Sequence, residues 1–378
     1  ITEKLDYLQS LSVTTLYLNP IFEAASNHRY DTADYRAIDP LLGDEETFRT
    51  LCREAHKRGM RVLLDGVFNH TGSRSRYFNA DGFYPELGAA QSQDSPYYDW
   101  YSFHPWPTDY DAWWGVKTLP AVNEQRPAYR QFIFKGEDSV VRHWLRCGAD
   151  GWRLDVADEL PGDFIAGIRR AIEDEKPDGY LLGEVWEDGS NKIAYSRRRR
   201  YLLGRETHGL MNYPFRTALL AWLGGGDAAA FRDTMETIRE NYPPAAFYGA
   251  MNFLGTHDTP RILTLLGADA IPDSKEARAA YHLSPENRRL AVRRLTLAAM
   301  LLYTFPGSPT LYYGDEAGME GFEDPMNRRG FPWGREDRRL LALYRTLGRL
   351  RKERRSLQEG NITYLTADGG LLVYCRTL

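Results

Sequence analysis

Apolar and polar positions follow two rhythms along this chain. Short apolar runs bounded by turn residues occur at 13–22 (VTTLYLNPIF), 60–70 (MRVLLDGVFNH), 149–157 (ADGWRLDVA) and 180–186 (YLLGEVW). Three more follow at 209–215 (GLMNYPF), 251–258 (MNFLGTHD) and 308–316 (SPTLYYGDE), and all seven read as strands. Between them, EETFRTLCREAHKRG, EDSVVRHWLRCG, GDFIAGIRRAIEDE, AAAFRDTMETIRE and ENRRLAVRRLTLAAMLLYTF carry apolar residues at helical spacing. Strands alternating with amphipathic helices predict an α/β fold with a parallel sheet under helices. A (β/α)8 TIM barrel is the expected form, with a doubly wound open sheet as the rival. Seven strands are counted and the chain opens in a helical pattern, ITEKLDYLQSL. The expectation is therefore a first barrel strand upstream of residue 1, both chain ends looking cut.

The rhythm fails over 71–127, which is rich in Gly, Pro, Asp and aromatic residues and has no helical period. A connection this long reads as an inserted small domain or lid after the third barrel strand. The expected organisation is residues 1–70 as the first part of the barrel, 71–127 as the insertion, and 128–357 as the second part. Residues 358–378 would start a C-terminal β domain, a hairpin turned at Asp368-Gly369-Gly370. One long helix is expected over 335–357, and the basic run SRRRRYLLGRE (196–206) reads as a solvated helix face.

A formal net charge of −4 gives no reason to expect nucleic acid or an acidic membrane surface. The longest apolar run, LTLAAMLLYTF at 295–305, is too short to span a bilayer. Cys52, Cys147 and Cys375 are odd in number and widely spaced, forming no disulfide or metal pattern. They read as free thiols and lean towards a cytoplasmic setting, with secretion as the alternative if an export signal precedes residue 1. The 24 tyrosines and 9 tryptophans supply flat rings with a polar edge, suited to cores and to stacking surfaces alike.

Candidate chemistry lies at the strand ends. Arg153 and Asp155 are two apart and share one face of a strand whose other face carries Trp152, Leu154 and Val156. A buried charge pair is a poor stabiliser, so its presence in an apolar strand points to a chemical use. Glu184 ends the next strand, whose parallel neighbour lies about 4.8 Å away. The two carboxyl groups are then expected roughly 5–5.5 Å apart, the separation used by retaining glycosidases. Arg153 would hold Asp155 ionised as a nucleophile, while apolar Val185 and Trp186 and nearby acids would favour a protonated Glu184. Asp258 ends a further strand and adds a third carboxylate for sugar hydroxyls.

At these residues the sequence resembles the α-amylase family of glycoside hydrolases. The likeness runs through DGVFNH (65–70), GWRLDVADE (151–159), GEVW (183–186) and FLGTHDT (253–259), in order and with helix-sized gaps. GSPTLYYGDE (307–316) is similar to the family's last barrel strand, and NPIFEAASNHRYDTADY (19–35) to the loop carrying a stacking tyrosine. The resemblance implies Asp155 as nucleophile, Glu184 as general acid/base and Asp258 as transition-state stabiliser. It further implies substrate contacts from Arg153, His70, His257 and Trp186, and a ring platform from Tyr30. Within the family, NHRYDTADY, MNYPF and NFLGTHDT look most like the neopullulanase, cyclomaltodextrinase and maltogenic amylase group. Two departures stand out: LPAVN (119–123) lacks the group's lysine, and Asp158 replaces a usual asparagine.

The implied activity is retaining hydrolysis of α-1,4, and also α-1,6, bonds in α-glucans, pullulan or cyclodextrins. Transglycosylation on the same site and a non-catalytic glycan-binding relative are the alternatives. No organic cofactor is implied. Asn69 matches a calcium ligand of many family members, and Asp81, Asp94, Asp99, Asp109 and Asp111 offer oxygens, but the sequence assigns no metal residue. The expected partner is an α-glucan, with neither nucleic acid nor membrane; a homodimer is compatible with the sequence.

Overall fold

The computed structural model describes residues 1–378. Two compact units are distinguished: Ile1–Gln9, Val13–Val185 and Asn191–Gly209 form one, and Ser10–Ser12, Trp186–Ser190 and Leu210–Leu378 the other.

In the first unit, strands Thr15–Tyr17, Arg61–Gly66, Gly151–Leu154 and Tyr180–Gly183 lie side by side in chain order. The first three pairings are parallel, with Leu63 opposite Gly151, Asp65 opposite Arg153, and Arg153 opposite Leu182. A doubly wound sheet reverses its strand order at a switch point, and this order never reverses. Helices Glu45–Lys57, Val140–Arg146 and Gly162–Glu175 alternate with the strands. The first of them starts where Asp44 accepts from the Thr47 amide at 2.8 Å, satisfying an amide with no helical partner.

Gly151 lets the central strands approach. Its φ is 154°, and a Cβ there would stand 2.0 Å from the Tyr180 carbonyl oxygen. Only glycine fits that spot. Beyond it the strand is closed on both faces, as a helix-covered parallel strand must be. Trp152 and Leu154 are fully buried, the Trp152 ring lying 5.5 Å from Phe68 and 6.1 Å from Phe22.

Residues 71–127 contain only the three-residue 3-10 turns Tyr98–Trp100 and Trp113–Gly115, plus bridges such as His70 to Ala121 and Tyr101 to Val122. Packed rings replace regular structure: Phe78 lies 4.9 Å from Tyr101 and 4.6 Å from Tyr110, and Tyr77 lies 5.2 Å from Trp100. The basic run at 196–206 is not a helix. Arg197–Arg198 pairs with Ile193–Ala194 in a small antiparallel ribbon, and Arg199 is buried, donating to the carbonyls of Ala157 and Leu160. Lone carbonyls at the turn after Asp155 draw in a guanidinium that composition alone placed in solvent.

In the second unit, Met251–Phe253 pairs in parallel with Ser308–Thr310, and Met211 bridges to Met251. Helices Tyr213–Leu223, Ala228–Asn241 and Pro285–Thr304 accompany them. The helix expected over 335–357 breaks at Arg354 into Arg338–Glu353 and Arg355–Glu359. The hairpin Asn361–Asp368 with Leu371–Thr377 follows. No helix is long and apolar enough to cross a membrane. All seven expected strands exist but end early, so Asp155 and Glu184 directly follow strand termini, while His257 and Asp258 lie in the loop beyond Met251–Phe253.

Candidate active site

Arg153 organises the first unit's strand ends. Its guanidinium is fully buried and meets three carboxylates: NH1 lies 2.7 Å from Asp65 Oδ1 and 2.9 Å from Asp155 Oδ1, and NH2 lies 2.9 Å from Glu184 Oε2. Strand register explains the first contact, since Asp65 and Arg153 are direct partners on adjacent strands. Period-two alternation explains the second. Asp155 and Glu184 thus border one space, tied through one guanidinium.

Asp65 was not singled out in the sequence, although an acid inside VLLDGVF is itself a signal. Its second oxygen accepts hydroxyls from Tyr17 at 2.8 Å and Tyr30 at 2.9 Å. Burial pushes the Asp65 carboxyl up, and the Arg153 charge with the donated hydrogen bonds pulls it back. Asp155 departs from the sequence expectation. Burial raises its carboxyl well above the usual range; Arg153 lowers it, and the Glu184 and Asp65 charges raise it again. At Asp155 one buried cation therefore works against burial and two neighbouring acids.

The backbone turns sharply after Asp155. Val156 has φ 41°, unusual for a β-branched residue, and its amide donates to Glu184 Oε2 at 2.9 Å. Such conformations cost on the order of 1–3 kcal/mol and persist only where the surroundings enforce them. Here the strained turn aims an N–H at the second acid. Two residues on, Asp158 accepts the Tyr201 hydroxyl at 2.5 Å and pairs with Lys192 at 2.9 Å.

His70 is buried, and burial lowers its imidazole to about 4, leaving it neutral near pH 7. Nε2 faces the Tyr30 carbonyl oxygen at 3.1 Å and so carries the proton, while Nδ1 faces the Asn69 amide nitrogen at 3.3 Å. Both ring nitrogens are thereby engaged. The ring stacks on Trp113 at 5.3 Å, and Trp113 on exposed Trp114 at 5.2 Å. Tyr30 has its ring beside His28 at 6.2 Å.

Three expected site residues belong to the second unit. His257 Nε2 lies 3.1 Å from Asp258 Oδ2, and Arg328 NH2 lies 3.7 Å from Asp258 Oδ1. The His257 carbonyl accepts from Asn327 at 2.7 Å and Arg328 at 3.1 Å, which fixes the loop. Neither Asn327 nor Arg328 was anticipated, as their motif, PMNRRG, carries no strand or helix period. Trp186 was expected to shelter Glu184, but its ring is 48% exposed and stacks at 4.0 Å on buried Tyr213. Of the acids named for calcium, Asp81, Asp109 and Asp111 are paired with Arg74, Lys117 and His104 rather than gathered at Asn69.

The alpha amylase catalytic-domain family matches residues 1–332. The amylopullulanase of Thermoanaerobacter thermohydrosulfuricus is 41% identical over the whole chain, which spans 27% of that protein. The cyclomaltodextrinase of Geobacillus thermopakistaniensis is 37% identical, again over the whole chain and 59% of its own length. The chain therefore covers less than two thirds of each of these relatives. Among solved structures, the type III pullulan hydrolase from Thermococcus kodakarensis superimposes with a TM-score of 0.86 at 34% identity, over 100% of this chain and 62% of that one. The cyclic alpha-maltosyl-(1→6)-maltose hydrolase from Arthrobacter globiformis, in complex with maltose, gives 0.85 at 32% identity, over 100% and 79%. These neighbours carry the barrel reading of the sequential parallel strands.

Proposed function

The chain belongs to the alpha-amylase family, and from that premise we propose that it hydrolyses α-glucosidic bonds in α-glucans such as pullulan, cyclodextrins and maltooligosaccharides, with retention of configuration. Asp155 attacks the anomeric carbon and forms a covalent glycosyl-enzyme. Glu184 protonates the departing oxygen, then takes a proton from the incoming water. Asp258 stabilises the distorted ring, and Tyr30 underlies it. The chain itself supplies the acids, so no step needs an organic cofactor.

One observation carries this reading: a single buried guanidinium joins Asp155 and Glu184, and the Val156 amide holds the second acid in place. The surplus of carboxylates over cations also suits a transition state with positive charge on the sugar ring. Glu184→Gln should abolish release of reducing sugar from starch, pullulan and cyclodextrin while leaving the unfolding temperature unchanged. Asp155→Asn should prevent a covalent adduct, read by mass spectrometry, with a fluorinated maltosyl substrate. Full hydrolysis by the first variant, or an adduct on the second, would overturn the assignment.

A further inference from the structure

Away from these acids, two helices of the first unit bring together three metal-ligating side chains. Glu45 opens the helix Glu45–Lys57; His143 and Cys147 are four residues apart at the end of Val140–Arg146 and so share a face. His143 Nε2 lies 3.0 Å from Glu45 Oε2 and 3.6 Å from Cys147 Sγ, and the three ligand atoms lie within 4.8 Å of one another. We propose that Glu45, His143 and Cys147 form a binding site for a borderline divalent metal ion such as zinc, clamping the two helices together.

The donor set selects the ion. Thiolate with imidazole and carboxylate suits zinc, cobalt or copper, whereas calcium and magnesium need oxygen alone. The spacing suits it as well. An ion about 2.0 Å from Nε2 and about 2.3 Å from Sγ would see those atoms at about 110°, the tetrahedral angle. Glu45 is prepared for the role: Arg49 holds Oε1 through Nε at 2.9 Å and NH2 at 2.8 Å, leaving Oε2 turned towards His143. On the other side of the imidazole, Asp138 Oδ1 stands 4.0 Å from Nδ1, beyond hydrogen-bond reach, and leaves that nitrogen to solvent-side partners rather than to the ion. Cys147 is buried while the Glu45 side chain is 40% exposed, so the ion has a way in and water a fourth position. Coordination replaces the thiol proton, which leaves to solvent, and gives the thiolate and carboxylate a cation beyond Arg49.

Cobalt titration of the chelator-stripped protein provides the test. One equivalent should produce the near-ultraviolet thiolate-to-cobalt absorption, and zinc should displace it. The band should vanish in Cys147→Ser and persist in Cys375→Ser. Glu45→Gln, a half-exposed change that does not threaten folding, should weaken binding at least about tenfold. Zinc should raise the unfolding temperature of the parent and leave that of His143→Gln unmoved. No band in the parent protein, an undiminished band in Cys147→Ser, or unchanged affinity in Glu45→Gln would overturn the proposal.

Discussion

Two guanidinium groups in this chain are wholly closed to solvent, and their surroundings differ in kind. Arg153 meets three carboxylates, one of them on Asp155, whose side chain keeps 10% of its surface open. Arg261 meets one, Asp315 at 3.4 Å, and donates to the Tyr313 carbonyl between the rings of Tyr312 and Tyr313, 4.3 and 4.6 Å away. The second arrangement sets one cation against one acid and wraps it in aromatic surface. The first is a charge imbalance in which one acid keeps a small part of its surface open. Burial of a cation is thus uninformative alone; the count of anions around it, and whether any is open, separates support from chemistry. Backbone strain divides the same way: every non-glycine residue with positive φ except Ser12 lies in the first unit, Val156 among them.

The comparison is most directly broken by removing each cation. Arg153→Met strands three acids and should cost about 3–5 kcal/mol in urea unfolding, with activity lost. Arg261→Met should cost less at neutral pH, about 1–3 kcal/mol, because its single carboxyl can take up a proton. Equal costs would erase the distinction.

A pH series sharpens it. Burial pushes the Asp315 carboxyl up to about 7, against the pull of Arg261. Between the unfolded value near 3.8 and that raised value, the folded chain binds the extra proton. This group's contribution is therefore complete below pH 4 and is lost as pH rises through 7, at up to about 1.4 kcal/mol per pH unit. Asp315→Asn should flatten that part of the stability profile, measured by denaturant midpoints from pH 4 to 8; an unaltered slope would refute the assignment. The smallest effect is expected from Tyr30→Phe, which removes one of two hydroxyls on Asp65 and should cost about 1 kcal/mol in stability.

Much of this was legible in the residues. Strand-helix alternation located all seven strands, and period two placed Arg153 beside Asp155. Cross-strand partners were not legible, because register depends on both strands at once; so Asp65 and Tyr17 escaped notice, and Arg153 was assigned one acid rather than three. The upward push on Asp155 is also a property of the assembled cluster, absent from any local stretch. At 196–206, charge density indicated solvent, yet the carbonyls of Ala157 and Leu160, far away in sequence, bury Arg199. The thiols were judged by their distances from one another, which hides a cysteine four residues after a histidine.

The amide of Val156 has a consequence for variation at that position. Every amino acid except proline owns the same main-chain donor, so no ordinary replacement deletes the contact to Glu184; each can only alter how firmly the bend is kept. Randomising the codon would accordingly sort substitutes by shape alone, with glycine relaxing the turn and bulkier residues resisting it. An anchor written into the peptide unit is shielded from drift in a way no side chain is.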